Sequence, residues 1–213
     1  VLLMKKSILL AKTEVTEGTD PTPGATDVLE AIDASIKETF EPVERAVQLK
    51  TLTNMASISG AKFAEVTFKI EAKGSGAAGV TPRFDQVLKA CGIGVTVIST
   101  TSVTYAPLSS GMSSCTIYLY KDGRLHIVTG CRASVKMTME AGKTAQMEFS
   151  LKGLWATPTV VASPSVTYET TVPAVCKGTV FSYNNKTTLV ASKLDFDLAN
   201  TLAQRMSLSA TNA

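Results

Sequence analysis

Few residues in this chain have types and spacings that could do chemistry. His126 is the single histidine, so any histidine-based acid–base, hydrolytic or metal chemistry would rest on it alone. Asp195 and Asp197 stand two apart, which on a strand puts both carboxylates on one face, as a general acid–base pair would need. No second cluster joins them, and an exposed or subunit-facing edge is the simpler reading. Gly74-Ser75-Gly76-Ala77-Ala78-Gly79 matches the Gly-x-Gly-x-x-Gly phosphate cradle. A dinucleotide site also needs a parallel βαβ unit with an acid about 20 residues on. Residues 94–121 hold no Asp or Glu and read as hairpins, so the glycines read as a flexible turn. Cys91, Cys115, Cys131 and Cys176 lack Cys-x-x-Cys spacing and read as small buried hydrophobes, not metal ligands or disulfides. The expectation is a chain that is not an enzyme and uses no metal or cofactor.

The elements that would position these residues are mostly strands. With 20 Val, 9 Ile and 28 Thr among 213 residues, branched side chains favour a pleated, half-buried surface. The clearest strand is Phe63–Lys73, where Ala64, Val66, Phe68, Ile70 and Ala72 alternate with Glu65, Thr67, Lys69, Glu71 and Lys73. Shorter candidates are Ser7–Ala11 and Ser35–Phe40. Thr81-Pro82 opens one helix over about residues 82–91, with threonine as N-cap, proline in the first turn and Gly92 at the end.

Beyond Val95 the pattern is strand as far as Gly153. Asp122-Gly123 signals a two-residue type I′ hairpin. That turn sets Tyr120 opposite Leu125, Leu119 opposite His126, Tyr118 opposite Ile127 and Ile117 opposite Val128. Both faces of this hairpin are apolar, so both must be covered, and His126 among Ile117, Leu119 and Val128 reads as structural. In the next pair, a loop Ala141-Gly142-Lys143 keeps Ala133, Val135, Met137 and Met139 on one face with Ala145, Met147, Phe149 and Leu151. It sets Met137 opposite Met147, and Lys136 opposite Glu148 as a register-fixing charge pair. Ala156–Val175, with three prolines, reads as edge or loop, and Leu189–Leu198 as a last strand. The arm Thr13–Asp27 and the segment Pro42–Gly60 have no clean period. No internal repeat or linker divides the chain, so a single β domain over residues 1–213 is expected.

Composition removes other classes. A net charge of +3 and a pI of 8.6 are too mild for a nucleic-acid binder. Residues 1–50 carry six bases and nine acids, the remainder fifteen and nine, an asymmetry by which copies could attract one another. The apolar run Ile8–Ala11 is too short for an export signal and no stretch has the 18 apolar residues of a membrane helix. A cytoplasmic product is expected, with Met4 an alternative start. Only 6% of residues are aromatic, which counts against a carbohydrate-binding or adhesin sandwich.

The order of segments resembles the tail tube proteins (major tail proteins) of long-tailed bacteriophages. The similarity runs through Leu9-Leu10-Ala11-Lys12-Thr13-Glu14, Glu17-Gly18-Thr19-Asp20, Glu41-Pro42-Val43-Glu44-Arg45 and the glycine turn with Val80-Thr81-Pro82. It continues in Leu88-Lys89-Ala90-Cys91-Gly92, Val103-Thr104-Tyr105-Ala106-Pro107, the Tyr118–Gly130 hairpin and Phe149-Ser150-Leu151-Lys152-Gly153. The resemblance implies a mainly β fold, an antiparallel β-sandwich or rolled sheet with one short flanking helix, whose strands contribute to an oligomeric β-barrel ring. It implies rings, typically of six copies, stacked into a virion tube assembled in the host cytoplasm, through which DNA is ejected. Partners would be further copies, the tape measure, terminator and baseplate or tip proteins, and passing DNA, with no membrane insertion. A tail terminator or head decoration protein shares this logic. The assembly elements would be the arm 12–34, the loop 42–60 and the tail 199–213. Interface candidates are Glu17, Asp20, Glu41, Glu44, Arg45, Lys50, Lys136, Glu148, Asp195 and Asp197. A lumen lined by Ser, Thr, Gln and mixed or acidic charge would let DNA slide.

Overall fold

A computed structural model describes residues 6–45, 47, 50, 55–178, 181–183 and 186–203. Met4, much of the tip of the 42–60 loop and residues 204–213 of the expected tail lie outside these. The centre of the fold is a rolled antiparallel sheet. Its strands are β1 (Ser7–Thr13), β2 (Val28–Leu29), β3 (Ile32–Val43), β4 (Ile58–Glu71), β7 (Cys115–Lys121), β8 (Arg124–Glu140) and β9 (Gln146–Trp155), in the order β2-β1-β7-β8-β9-β4-β3. Two short strands, β10 (Thr159–Val160) and β13 (Lys193–Asp197), also pair with β8. Separate two-stranded ribbons are formed by β5 (Ile93–Ile98) with β6 (Ser102–Pro107) and by β11 (Phe181–Tyr183) with β12 (Lys186–Leu189). The sheet is mainly β and rolled, as expected, and among the described strands it does not close into a barrel.

Alternation fixes the core. Ala64, Val66, Phe68 and Ile70 of β4 are buried with Met147, Phe149 and Leu151 of β9 and Ala133 and Val135 of β8. Phe68 and Phe149 stack with ring centres 5.5 Å apart. The helix α1 (Asp85–Ala90) lays Val87, Leu88 and Ala90 on this face. It starts later than expected. Thr81 does not cap it; the Pro82 carbonyl instead accepts the Asp85 N–H at 3.0 Å, closing a separate turn first. Gly92 ends it at φ +80°.

The two-sided hairpin is observed in the expected register, Tyr120 with Leu125 through Ile117 with Val128. Asp122 and Gly123 have φ of 47° and 81°, as a type I′ turn demands. One face joins the main core. The other forms a second cluster of Leu10, Val28, Tyr118, Tyr120 and Leu125, onto which Val166 packs. Thus the proline-bearing segment after β10 is a cover: its Thr167 carbonyl accepts from Arg83 Nη1 and its Thr167 N–H donates to the Ala25 carbonyl. Met137 faces Met147 and Lys136 faces Glu148, as expected. The ion pair of Glu148 is with Lys69 across the other ladder, at 3.8 Å.

Three strand limits differ from the sequence pattern. Pairing carries β3 to Val43 and begins β4 at Ile58, so the aperiodic segment is the end of a long hairpin plus its tip. The expected strand Leu189–Leu198 is split: Leu189 ends β12, Val190 is fully exposed, and only Lys193–Asp197 pairs with β8. Conversely, β8 is one strand of 17 residues that bends at Gly130, where the ladders to β7 and β9 both shift.

That bend is held by Glu14. Its carboxylate is buried and accepts four hydrogen bonds, from the Gly18 N–H at 2.8 Å, Ser114 Oγ and Thr116 Oγ1 at 2.6 Å each, and the Gly130 N–H at 2.7 Å. Two carboxylate oxygens have lone pairs for all four donors; an amide would turn an NH2 against two of them. Glu14→Gln should therefore cost about 1–3 kcal/mol in urea unfolding, and a midpoint equal to wild type would show that the junction does not hold the arm.

Candidate functional site

The residues that could do chemistry are dispersed. His126 is half-buried on the core side of β8, its Nδ1 3.6 Å from Glu38 Oε1, too far for a hydrogen bond. Burial lowers its pKa; the Glu38 charge opposes that shift, and Lys121 and Arg124 reinforce it. Burial pushes the Cys91 thiol up to about 12, and Cys115 is also raised, chiefly by its hydrogen bond to Cys131 and then by burial. Such thiols are poor nucleophiles and poor metal ligands. No group of three or more His, Cys, Asp or Glu with metal-binding geometry occurs among the described residues. Nor is any helix among them long and apolar enough to cross a membrane. The Gly74–Gly79 run leads through a loop to α1, and the strand after the helix belongs to the antiparallel β5–β6 ribbon.

What the fold does build is surface. The first surface is the polar face of five adjacent strands, β13-β8-β9-β4-β3. Cross-strand contacts show the side chains on it: Ser35 Oγ with Thr67 Oγ1 at 2.8 Å, Ser150 with Glu65 at 3.3 Å, Lys69 with Glu148, and Thr138 with Asp195 at 2.8 Å. By alternation β3 supplies Lys37, β4 Glu65, Lys69 and Glu71, and β9 Glu148 and Lys152. β8 supplies Arg132, Lys136 and Glu140, and β13 Lys193, Asp195 and Asp197. Bases and acids are equal in number, interleaved with Ser, Thr and Gln. Four expected interface residues, Lys136, Glu148, Asp195 and Asp197, thus come together on one face. Hydrogen bonds from Lys193 and Thr138, with the Lys193 charge behind them, hold the Asp195 carboxyl below its ordinary range.

The second surface is the projecting end of the β3–β4 hairpin. β9 pairs with β4 only from Phe63 on, so Ile58–Lys62 and the strand opposite extend roughly 16 Å past the sheet. Glu41, Glu44, Arg45 and Lys50 are exposed there, as are the apolar Val43, Val47 and Ile58. At its base Phe40, half-exposed, meets Trp155 edge-on with ring centres 5.3 Å apart.

The remaining two candidates turn inward. Glu17 Oε2 accepts from Arg132 Nη2 at 2.9 Å. Asp20 accepts from the Tyr118 hydroxyl and, at 2.8 Å, from the Thr22 N–H. Both pin the arm to its own sheet. Sequence reasoning missed the other eight members of the charged face, Lys37, Glu65, Lys69, Glu71, Arg132, Glu140, Lys152 and Lys193. The alternation that exposes them was legible; their assembly into one face depends on strand order, which was not.

The family profile described as phage tail tube protein matches residues 4–213. The chain belongs to that family, and is therefore a structural component of a bacteriophage tail. Among curated proteins none matches. Among solved structures it is similar to the anti-feeding prophage cap, a tube-terminating cap. The two are 10% identical over 76% of this chain and 92% of that one, with a TM-score of 0.41.

His126 gives a clean pH test, being the only histidine. Its folded pKa is depressed, so the unfolded chain binds the proton more readily. Stability should be full above the ordinary value of about 6.5 and fall as the pH drops below it. His126→Gln should flatten that slope between pH 7 and 5 in denaturant titrations. An unchanged slope would mean that other groups set it.

Proposed function

We infer that this chain closes into rings, six copies each as is typical of the resembled family, and that the rings stack into the tail tube through which DNA leaves the virion. The observation that carries this is the five-stranded section β13-β8-β9-β4-β3. It has one face polar and charge-balanced, the other apolar and covered over β8, β9 and β4, and its outer strands β3 and β13 lack partners on their far edges among the described residues. Long unpaired edges are an aggregation liability unless something closes them. Ring closure does so, and puts the polar face around a common axis.

The dimensions are consistent. Five strands from each of six copies, at about 4.8 Å per strand, make a circumference of roughly 140 Å and a width of about 45 Å before strand tilt widens it. A DNA duplex fits such an opening. The balanced lining suits passage, because a basic wall would release counterions from the phosphates and hold the DNA. The projecting β3–β4 tip is then the contact from one ring to the next, a head-to-tail interface that does not close on itself and so grows a filament. The other tail proteins meet the tube at its ends and within it, and the chain carries out no reaction.

Negative-stain microscopy of the concentrated protein tests this directly. Uniform hollow tubes or rings are expected; a protein that stays monomeric both alone and with its tail-tip complex would overturn the reading. Replacing residues 44–57 with a two-residue turn should leave the melting temperature within a few degrees of wild type and abolish tubes. Tubes from that variant would assign stacking to another element. Assembled tubes should also not retain duplex DNA in filter binding at low salt, and tight, salt-sensitive retention would exclude the balanced face as the lining.

A further inference from the structure

We propose that neighbouring copies join by parallel pairing of β3 of one copy with β13 of the next, in the register that sets Lys37 beside Asp197 and Ile36 beside Phe196. This rests on the ring reading above and names the edges that meet. Every neighbouring pair in β13-β8-β9-β4-β3 is antiparallel. With five strands, the two outer ones therefore run in the same direction. A rotation about an axis along the strands preserves direction, so β3 of one copy meets β13 of the next in parallel.

Charge and apolar matching then select the register. β13 offers Lys193, Leu194, Asp195, Phe196 and Asp197 in order. With Lys37 level with Asp197, Ile36 meets Phe196, Ser35 meets Asp195 and Ala34 meets Leu194, up to the bulge at Asp33 where regular alternation of β3 stops. Opposite charges coincide, and the apolar pairs share the other face. Moving two residues one way sets Glu38 against Phe196. Moving two the other way carries Lys37 past Asp197, the last residue of β13, and leaves it with no acid opposite. A shift of one residue puts apolar against polar throughout.

Both edges carry charged groups that face an opposite charge across their own ladder, Lys37 opposite Glu65 and Asp197 opposite Lys136, without closing an ion pair with it among the described residues. Lys37 makes no ion pair among the described residues, and Asp197 accepts only the Ala199 N–H, at 2.9 Å. Phe196 is 58% exposed, an apolar ring left at a sheet edge that a neighbouring strand would cover. Asp195, by contrast, is already held by Lys193 and Thr138, leaving Asp197 as the acid available to a neighbour.

The test uses charge exchange on the full chain. Lys37→Asp alone and Asp197→Lys alone should each raise the protein concentration at which rings or tubes form by about tenfold or more, because each sets like charges together. An equal mixture of the two variants should assemble near the wild-type concentration, since each mutant edge then finds its opposite. In a Lys37→Cys, Asp197→Cys double variant, oxidation should give disulfide-linked ladders of copies on non-reducing gels. If wild type assembles and both single variants do so at the same concentration, or if the mixture fails to recover, the pairing is wrong while the ring reading stands. If wild type forms no rings under any condition tested, the ring reading falls and this pairing falls with it.

Discussion

The fold depends on a buried carboxylate. Glu14 gathers donors from the arm, from the start of β7 and from the bend in β8, all within 2.6–2.8 Å. Without it the Gly130 N–H, turned out of both ladders by the bulge, would be a part-buried donor with no acceptor. Glycine suits that position because φ is +62°, a conformation that L side chains rarely adopt. The close approach of the bent strand also explains Gly153 on β9, where a Cβ would come within 2.6 Å of the Thr129 carbonyl oxygen and 2.7 Å of Cys131 Sγ. One acid, one bulge and two glycines thus form a single joint.

The joint lets β8 serve two structures. Its first half belongs to the two-sided hairpin with β7, buried on both faces. Its second half belongs to the polar-faced section with β9, β4, β3 and β13. A straight strand of this length would give both halves the same exposure. The bend instead lets one half be the scaffold that α1 and the proline-bearing cover enclose, while the other carries β9 and β13 in a section with a wet face. Arg132 stands just past the bend and bonds both the Ser113 carbonyl and Glu17, so the arm reinforces the joint that Glu14 makes.

What was legible in the sequence was what local geometry decides. Asp122-Gly123 fixes a turn type, the turn fixes a register, and Tyr118 to Ile127 followed without further information. The alternation from Ala64 to Ile70 and from Met147 to Leu151 likewise identified the buried face. Where the decision lay with a distant partner, the sequence was silent. Leu189–Leu198 shows apolar residues at alternate positions, yet pairing with β8 begins only at Lys193 and leaves Val190 in solvent. Thr81-Pro82 has the composition of a helix start, but the Pro82 carbonyl is used to close a turn and the helix waits until Asp85. Glu14 looked like any acid in a polar arm. Nothing near it in the sequence announces Thr116 or Gly130, more than a hundred residues away.

The same distinction applies to the candidate surfaces. Glu17 and Asp20 stood among the interface candidates with Lys136, Glu148, Asp195 and Asp197, all charged residues. The structure divides them by what they reach. The first two are consumed within the chain, one by Arg132 and one by Tyr118, so a neighbour that engaged either would have to break an existing contact. The other four share a face whose charges already balance within one copy. Such a face gains little by sticking to a copy of itself, since each charge has a near neighbour of opposite sign and the residual attraction of exposed pairs is small. Self-association through this face is therefore disfavoured, and in the proposed ring attraction between copies comes from the edges and the hairpin tip. There, exposed apolar side chains and unmatched backbone groups remain. In the ring proposed above, the wide polar surface would stay free for what passes over it while adhesion is confined to the rim, the division of labour that a conduit made of repeated copies needs.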